Sequence, residues 1–180
     1  MRCCICHSEN HSFHIETGPM MVDVNKDRNY RFLLCNHCDS VFLENPIDEQ
    51  DLSAFYSDYY LPYRGEKAWG KYAGIVRRQD HLLNLKKFNL VAKHLSLKNQ
   101  PQVKILDIGC GKPDFLYEFK QQTNAECFGI DFKSAQWNNP KYAGIHLSEE
   151  SVGQFNSRER FDLITAWHYL EHDYDPVLTI

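Results

Sequence analysis

Two acidic residues, Asp107 and Asp131, stand 24 positions apart, each at the end of a short apolar run. Asp107 lies within Val103–Gly111 (VKILDIGCG) and is followed at once by Gly109 and Gly111; Asp131 closes Glu126–Asp131 (ECFGID). A carboxylate at the end of a buried strand can accept hydrogen bonds from a ribose diol. Glycines after such a strand let the main chain turn tightly and come close to a ligand, with the next helix opening behind them. The chemistry indicated is the binding of a nucleotide-like cofactor in the crevice of an open α/β sheet.

A second group of reactive residues stands at the N-terminus. Cys3 and Cys6 form one C-x-x-C pair and Cys35 and Cys38 another, separated by 28 residues. Four thiolates so arranged suit the closed tetrahedral site that Zn²⁺ prefers. Cys4 is a competing first ligand, but Cys3 reproduces the spacing of the second pair. Two other readings stay open: cysteines that pack without metal, and a redox dithiol, which lacks its usual setting at the helix start of a βαβ unit. His7 and His37 adjoin the pairs and are read as solvent-facing.

The elements that must position these groups follow from patterning. His11–Thr17 and Tyr30–Leu34 read as a hairpin carrying the cysteine pairs, joined through Gly18-Pro19 and the polar Asp23–Asn29. Asp51–Tyr63 concentrates Phe55, Tyr56, Tyr59, Tyr60 and Tyr63, which either line a pocket or pack the small module onto the rest. Glu66–Leu97 shows helical spacing in Trp69, Tyr72, Ile75, Val76, Leu82, Leu83, Phe88, Val91 and Leu95, a stripe expected to cover the sheet. Gly70 and Gly74 should loosen its first turns. Beyond the glycine turn, Asp114–Gln122 is a predicted helix, and Ala143–Leu147 and Phe161–Trp167 are predicted strands. Strands alternating with helices imply a parallel sheet with right-handed crossovers. The expected organisation is a zinc-ribbon-like β module over 1–46, an aromatic connector and long helix over 47–100, and a cofactor half-domain over 101–180.

Composition narrows the function. Apolar residues make up 43% of 180, enough for a folded core, and the net charge is −4. Acidic residues outnumber basic ones in the cysteine module as well, the reverse of what a phosphate-binding finger needs, so no nucleic-acid partner is expected. No apolar run approaches the roughly 18 residues of a membrane span. The start, MRCCICHSEN, lacks a signal-peptide core, so a cytoplasmic protein with reduced thiols is expected.

Taken together, Leu106–Gly111, Gly129-Ile130-Asp131 and Phe161–Ile164 leading into His168-Tyr169-Leu170-Glu171-His172 resemble the class I S-adenosylmethionine-dependent methyltransferases. The strand-to-LEH segment is the most discriminating part, because dinucleotide dehydrogenases have no counterpart to it. Cysteine knuckles, tyrosine-rich connector and then this domain look like a bacterial subgroup that includes sugar C-methyltransferases acting on nucleotide-linked deoxysugars. The resemblance implies a partial Rossmann-like sheet of about four parallel strands and S-adenosyl-L-methionine and Zn²⁺ as cofactors. It also implies roles: Asp107, Gly109 and Gly111 around the methionine portion, Asp131 on the ribose hydroxyls, Phe132 beside the adenine, Trp167 and His168 near the sulfonium. Glu171 and His172 are candidates for a base facing a small-molecule acceptor, or else a structural helix start.

Two departures from that family are visible. Where another glycine is usual, the chain has Lys112-Pro113; the proline suits a first helical turn, but its ring is expected to crowd the ligand and weaken binding. The family's sheet has seven strands in the order 3-2-1-4-5-7-6, and only the first four are recognisable before Ile180. The expectation is a truncated form of a longer enzyme, or a partner covering the exposed fourth strand, with self-association through the Phe161–Trp167 edge as the form considered. The alternative function is a non-catalytic protein that keeps zinc and the cofactor, or an interaction module.

Overall fold

The computed structural model describes residues 1–19, 27–48, 51, 56, 65–95 and 103–180. The chain folds as two units, Met1–Tyr60 with Asp173–Ile180, and Leu61–His172. No helix among the described residues is long and apolar enough to cross a membrane.

In the first unit, β1 (His11–Thr17), β2 (Tyr30–Cys35) and β3 (Val41–Leu43) form an antiparallel sheet in the order β1-β2-β3. The hairpin expected from the alternating residues is therefore present, with a bulge between Phe13 and Ile15. Its interior is small: Cys3, Leu33, Cys35 and Phe42 are its buried apolar side chains among the described residues. Most of β1 is exposed. A sheet this open cannot bury enough apolar surface to hold itself, so the cysteines that share its core matter disproportionately.

The second unit is α/β. Helix α1 (Ala73–Ala92) precedes β4 (Lys104–Ile108), α2 (Asp114–Gln122), β5 (Glu126–Asp131), β6 (His146–Glu149) and β7 (Leu163–Thr165). The four strands are parallel in the order β6-β5-β4-β7. That is the first-half order 3-2-1-4 implied by the resemblance. Ile105, Phe115, Leu116, Phe119 and Cys127 are buried on the face covered by α1 and α2, where Phe88 packs edge-on to Phe119 at 5.4 Å. On the opposite face Leu106, Ile108 and Ile130, with Phe128 beside them on β5, pack against Val152, Phe155, Phe161 and Tyr169.

Three elements differ from the expectation. The α-helix starts only at Ala73, because Gly70 (φ 52°, ψ −119°) breaks the first turns as a glycine there was expected to and leaves Glu66–Tyr72 a 3₁₀ segment. Its apolar stripe also splits. Phe88, Val91 and Leu95 turn inward, whereas Ile75, Leu82 and Leu83 are exposed on another arc of the helix, and Trp69 and Tyr72 are exposed on the 3₁₀ segment. The third strand lies at 146–149, displaced toward the C-terminus because its register is set by pairing with β5 (Phe128↔His146 to Asp131↔Glu149). The fourth strand is limited to Leu163–Thr165, since Phe161 packs on Phe128 at 5.2 Å and Trp167 enters the core. Apart from Asp51 and Tyr56, the aromatic connector lies outside the described residues.

Candidate functional site

Asp107 and Asp131 come to the carboxyl ends of β4 and β5, adjacent strands in the sheet. Between them runs the turn 109–113, where Gly109 (φ 67°) and Gly111 (φ 48°) adopt left-handed backbone that side chains disfavour. The Gly109 and Cys110 amides both donate to the Ile130 carbonyl, at 2.9 and 3.0 Å, which pins the turn to β5. Asp131 ties the two loops together: Oδ2 accepts from the Gly111 amide at 2.8 Å and Oδ1 from the Lys133 amide at 3.1 Å. Phe132, the next residue, is 39% exposed.

The two glycines differ in what they face. A Cβ on Gly111 would meet nothing nearer than Asp131 Oδ2 at 4.0 Å, so this stretch of main chain is bare and accessible. A Cβ on Gly109 would lie 2.5 Å from Tyr169 Cδ2, because the tyrosine ring already occupies that side. Pro113 is fully buried and so does not line the open side of the turn, contrary to the crowding expected from sequence.

Asp107 is itself buried, paired in register with Thr165 of β7, whose hydroxyl donates to Oδ1 at 2.6 Å. Burial raises its carboxyl pKa to about 7 against the favourable effects of Thr165 and the Lys87 ammonium, with Asp131 adding to the rise. Because the unfolded chain ionises this group near 3.8, the folded state holds the extra proton between that value and about 7. Stability should therefore decline as pH rises through this window and level off above it. Denaturant titrations from pH 4 to 8 should show the slope in the wild type and lose it in Asp107→Asn; an unchanged slope would contradict the assignment.

The match to a family model decides what this crevice belongs to: residues 77–179, more than half of the chain, fit the family described as a methyltransferase domain. The chain belongs to that methyltransferase family. Within curated proteins it is 31% identical over 111 residues to a ubiquinone biosynthesis O-methyltransferase of Stutzerimonas stutzeri, covering 56% of this chain. The alignment spans 45% of that relative, so the chain covers less than half of the protein it matches. Among solved structures, the plantazolicin methyltransferase in complex with SAH is 21% identical, with a TM-score of 0.43, over 76% of this chain and 47% of that one. A 1,6-didemethyltoxoflavin-N1-methyltransferase of Burkholderia thailandensis is 15% identical, with a TM-score of 0.42, over 82% and 57%.

The remaining predicted residues of this methyltransferase domain are distributed unevenly. Asp107, Gly109, Gly111, Asp131 and Phe132 gather at one end of the sheet. Trp167 instead packs edge-on to Phe115 at 5.4 Å with the Lys87 ammonium 5.0 Å from its ring centre, and its buried indole N–H has no hydrogen-bond partner among the described residues. His168 takes left-handed backbone (φ 54°) with its imidazole in solvent, Nδ1 lying 3.3 Å from Glu171 Oε1. Glu171 and His172 are exposed on the 3₁₀ turn Leu170–His172. Sequence reasoning missed Thr165, Lys87 and Tyr169. Each looks ordinary in its own element, and only the long-range pairing reveals it.

At the other unit, the sulfurs of Cys3, Cys6, Cys35 and Cys38 all lie within 4.8 Å of one another, and Cys4 is not among them. Cys3 and Cys38 sulfurs are 3.7 Å apart and those of Cys6 and Cys35 3.5 Å. A tetrahedron with bonds of about 2.3 Å has edges of about 3.8 Å, so the donor set fits Zn²⁺. The two knuckles share one backbone design. Cys3 and Cys35 amides donate to Ser8 and Ser40 carbonyls, while His7 and Asp39 amides donate back to Cys3 and Cys35. His7 (φ 58°) and Asp39 (φ 59°) are both left-handed. Burial opposes ionisation of Cys3, but the Ser40 hydroxyl at 3.2 Å and neighbouring donors outweigh it and bring the thiol down to about 6. The Ser40 hydroxyl, also 3.0 Å from Cys38 Sγ, holds that thiol below its usual range. Ser40 was missed although the sequence carries the signal: Cys-x-x-Cys-His-Ser at 3–8 recurs as Cys-x-x-Cys-Asp-Ser at 35–40.

Proposed function

We propose that this chain is the cofactor-binding part of an S-adenosylmethionine-dependent methyltransferase acting on a small molecule, joined to a unit stabilised by Zn²⁺ on Cys3, Cys6, Cys35 and Cys38. One observation carries the reading: two carboxylates end adjacent parallel strands on either side of a bare glycine turn. The cofactor, when bound, supplies a methyl group already activated by its positive sulfur, so the protein's task is alignment. Asp131 holds the ribose hydroxyls, its carboxylate oriented by the Gly111 and Lys133 amides. Phe132 offers an exposed ring to the adenine, Gly111 presents main chain to the methionine portion, and Asp107, buried and held by the Thr165 hydroxyl, fixes the end of β4 beneath it. Glu171, 3.3 Å from His168 Nδ1, and His172 are the candidates for taking a proton from an acceptor.

Two resemblances bear on the acceptor. The knuckle-bearing subgroup points to a carbon of a nucleotide-linked deoxysugar, and the O-methyltransferase relative points to an oxygen. Calorimetry with S-adenosylhomocysteine tests the cofactor reading directly. Asp131→Asn should bind at least tenfold more weakly, since hydrogen bonds to a charged group contribute about 1.5–3 kcal/mol. Equal affinity for wild type and variant would remove the reading.

A further inference from the structure

The segment ahead of α1 spans the loops that follow both β4 and β5. Gly65 is left-handed (φ 66°), and a Cβ there would lie 2.7 Å from Gln136 Nε2, beyond β5. One residue later, Glu66 Oε2 accepts from Lys112 Nζ at 3.3 Å, immediately after Gly111, while Oε1 lies 3.6 Å from Arg77. Lys112 is largely withdrawn from water, its side chain 13% exposed, and its ammonium also reaches Asp114 Oδ2 at 2.8 Å. Asp114 in turn accepts from the Tyr142 hydroxyl at 2.8 Å and pairs with Lys141. Asp80 of α1 feels the same lysine. Three carboxylates (Glu66, Asp80, Asp114) thus interleave with three cations (Lys112, Arg77, Lys141).

This network gives the Lys112 departure a physical purpose. A lysine beside the turn would repel a cationic cofactor if its charge were left unmatched. Bracketed by Glu66 and Asp114, it serves instead as a peg to which an outside segment is fastened. Exposed ion pairs contribute little, but this one is mostly shielded from solvent and forms part of a network. We propose that Glu66 is a positioning residue which, through Lys112, fastens the Gly65–Tyr72 segment across both cofactor loops and forms one wall of the binding site. The gain is preorganisation: the wall is set before the ligand arrives, and less ordering is required on binding.

The inference rests on reading this crevice as the cofactor site, and the test separates the two. Hydrogen exchange on the cofactor-free full chain should quicken at 65–72 and at 109–113 in both Glu66→Gln and Lys112→Met, with the double variant no faster than either single one. In calorimetry with S-adenosylhomocysteine, each variant should bind about tenfold more weakly than wild type, and Lys112→Arg should recover most of that loss. Thermal midpoints confirm that the variants are folded. If wild type takes up no S-adenosylhomocysteine, the cofactor reading fails and this proposal falls with it. If wild type binds and Glu66→Gln binds equally well, or exchange at 65–72 is unmoved, only this proposal is overturned.

Discussion

Replacing Cys35 by Ala should abolish metal binding and unfold the N-terminal unit, leaving the sheet unit folded. The expected effect is large because that unit has little else to hold it. Among the described residues its buried apolar side chains are Cys3, Leu33, Cys35 and Phe42, and two of these four are ligand candidates. Burying Leu33 and Phe42 contributes only about 1.5–3 kcal/mol each. A structural Zn²⁺ site contributes on the order of 10 kcal/mol or more. Elemental analysis should find one zinc per wild-type chain and none in Cys35→Ala, while Cys4→Ala retains it. Amide spectra of the variant, or of wild type after chelation, should lose dispersion for 1–48 and keep it for 103–172. Full zinc in Cys35→Ala would refute the site.

Gly109→Ala should destabilise the sheet unit by about 2–5 kcal/mol, combining about 1–2 for left-handed backbone with about 1–3 for overpacking. The steric part comes from Tyr169 Cδ2, 2.5 Å from where the new methyl would stand. Gly111→Ala has the same backbone strain and no such clash, so it should cost about 1–2 kcal/mol. Chemical denaturation measures both. Adding Tyr169→Ala to Gly109→Ala should relieve the overpacking and leave the backbone strain. Equal losses at the two glycines would show that the tyrosine ring does not press on Gly109.

Much of this architecture is legible in the chain, for physical reasons that also mark the limit. β1, α2 and β5 have the expected bounds because their periodicity and their punctuation agree. The two acids at strand ends are visible for the same reason, since a carboxylate closing an apolar run is a local signal. α1 is different. Apolar residues occur on two arcs of it, and nothing local says that Val91 faces inward while Leu82 and Leu83 face water. β6 escapes its predicted place because register is decided by the neighbouring strand. Thr165 on Asp107 and Glu66 on Lys112 join positions 58 and 46 residues apart, and neither partner has an unusual neighbourhood in sequence.

The closeness of the four sulfurs bears on where turnover can occur. An ion they surround has every coordination vertex filled, so it can act as a rivet but not as a reagent: solvent has no place to bind it and be activated. What this chain would itself bring to a methyl transfer is then the carboxylates and main chain at the ends of β4 and β5.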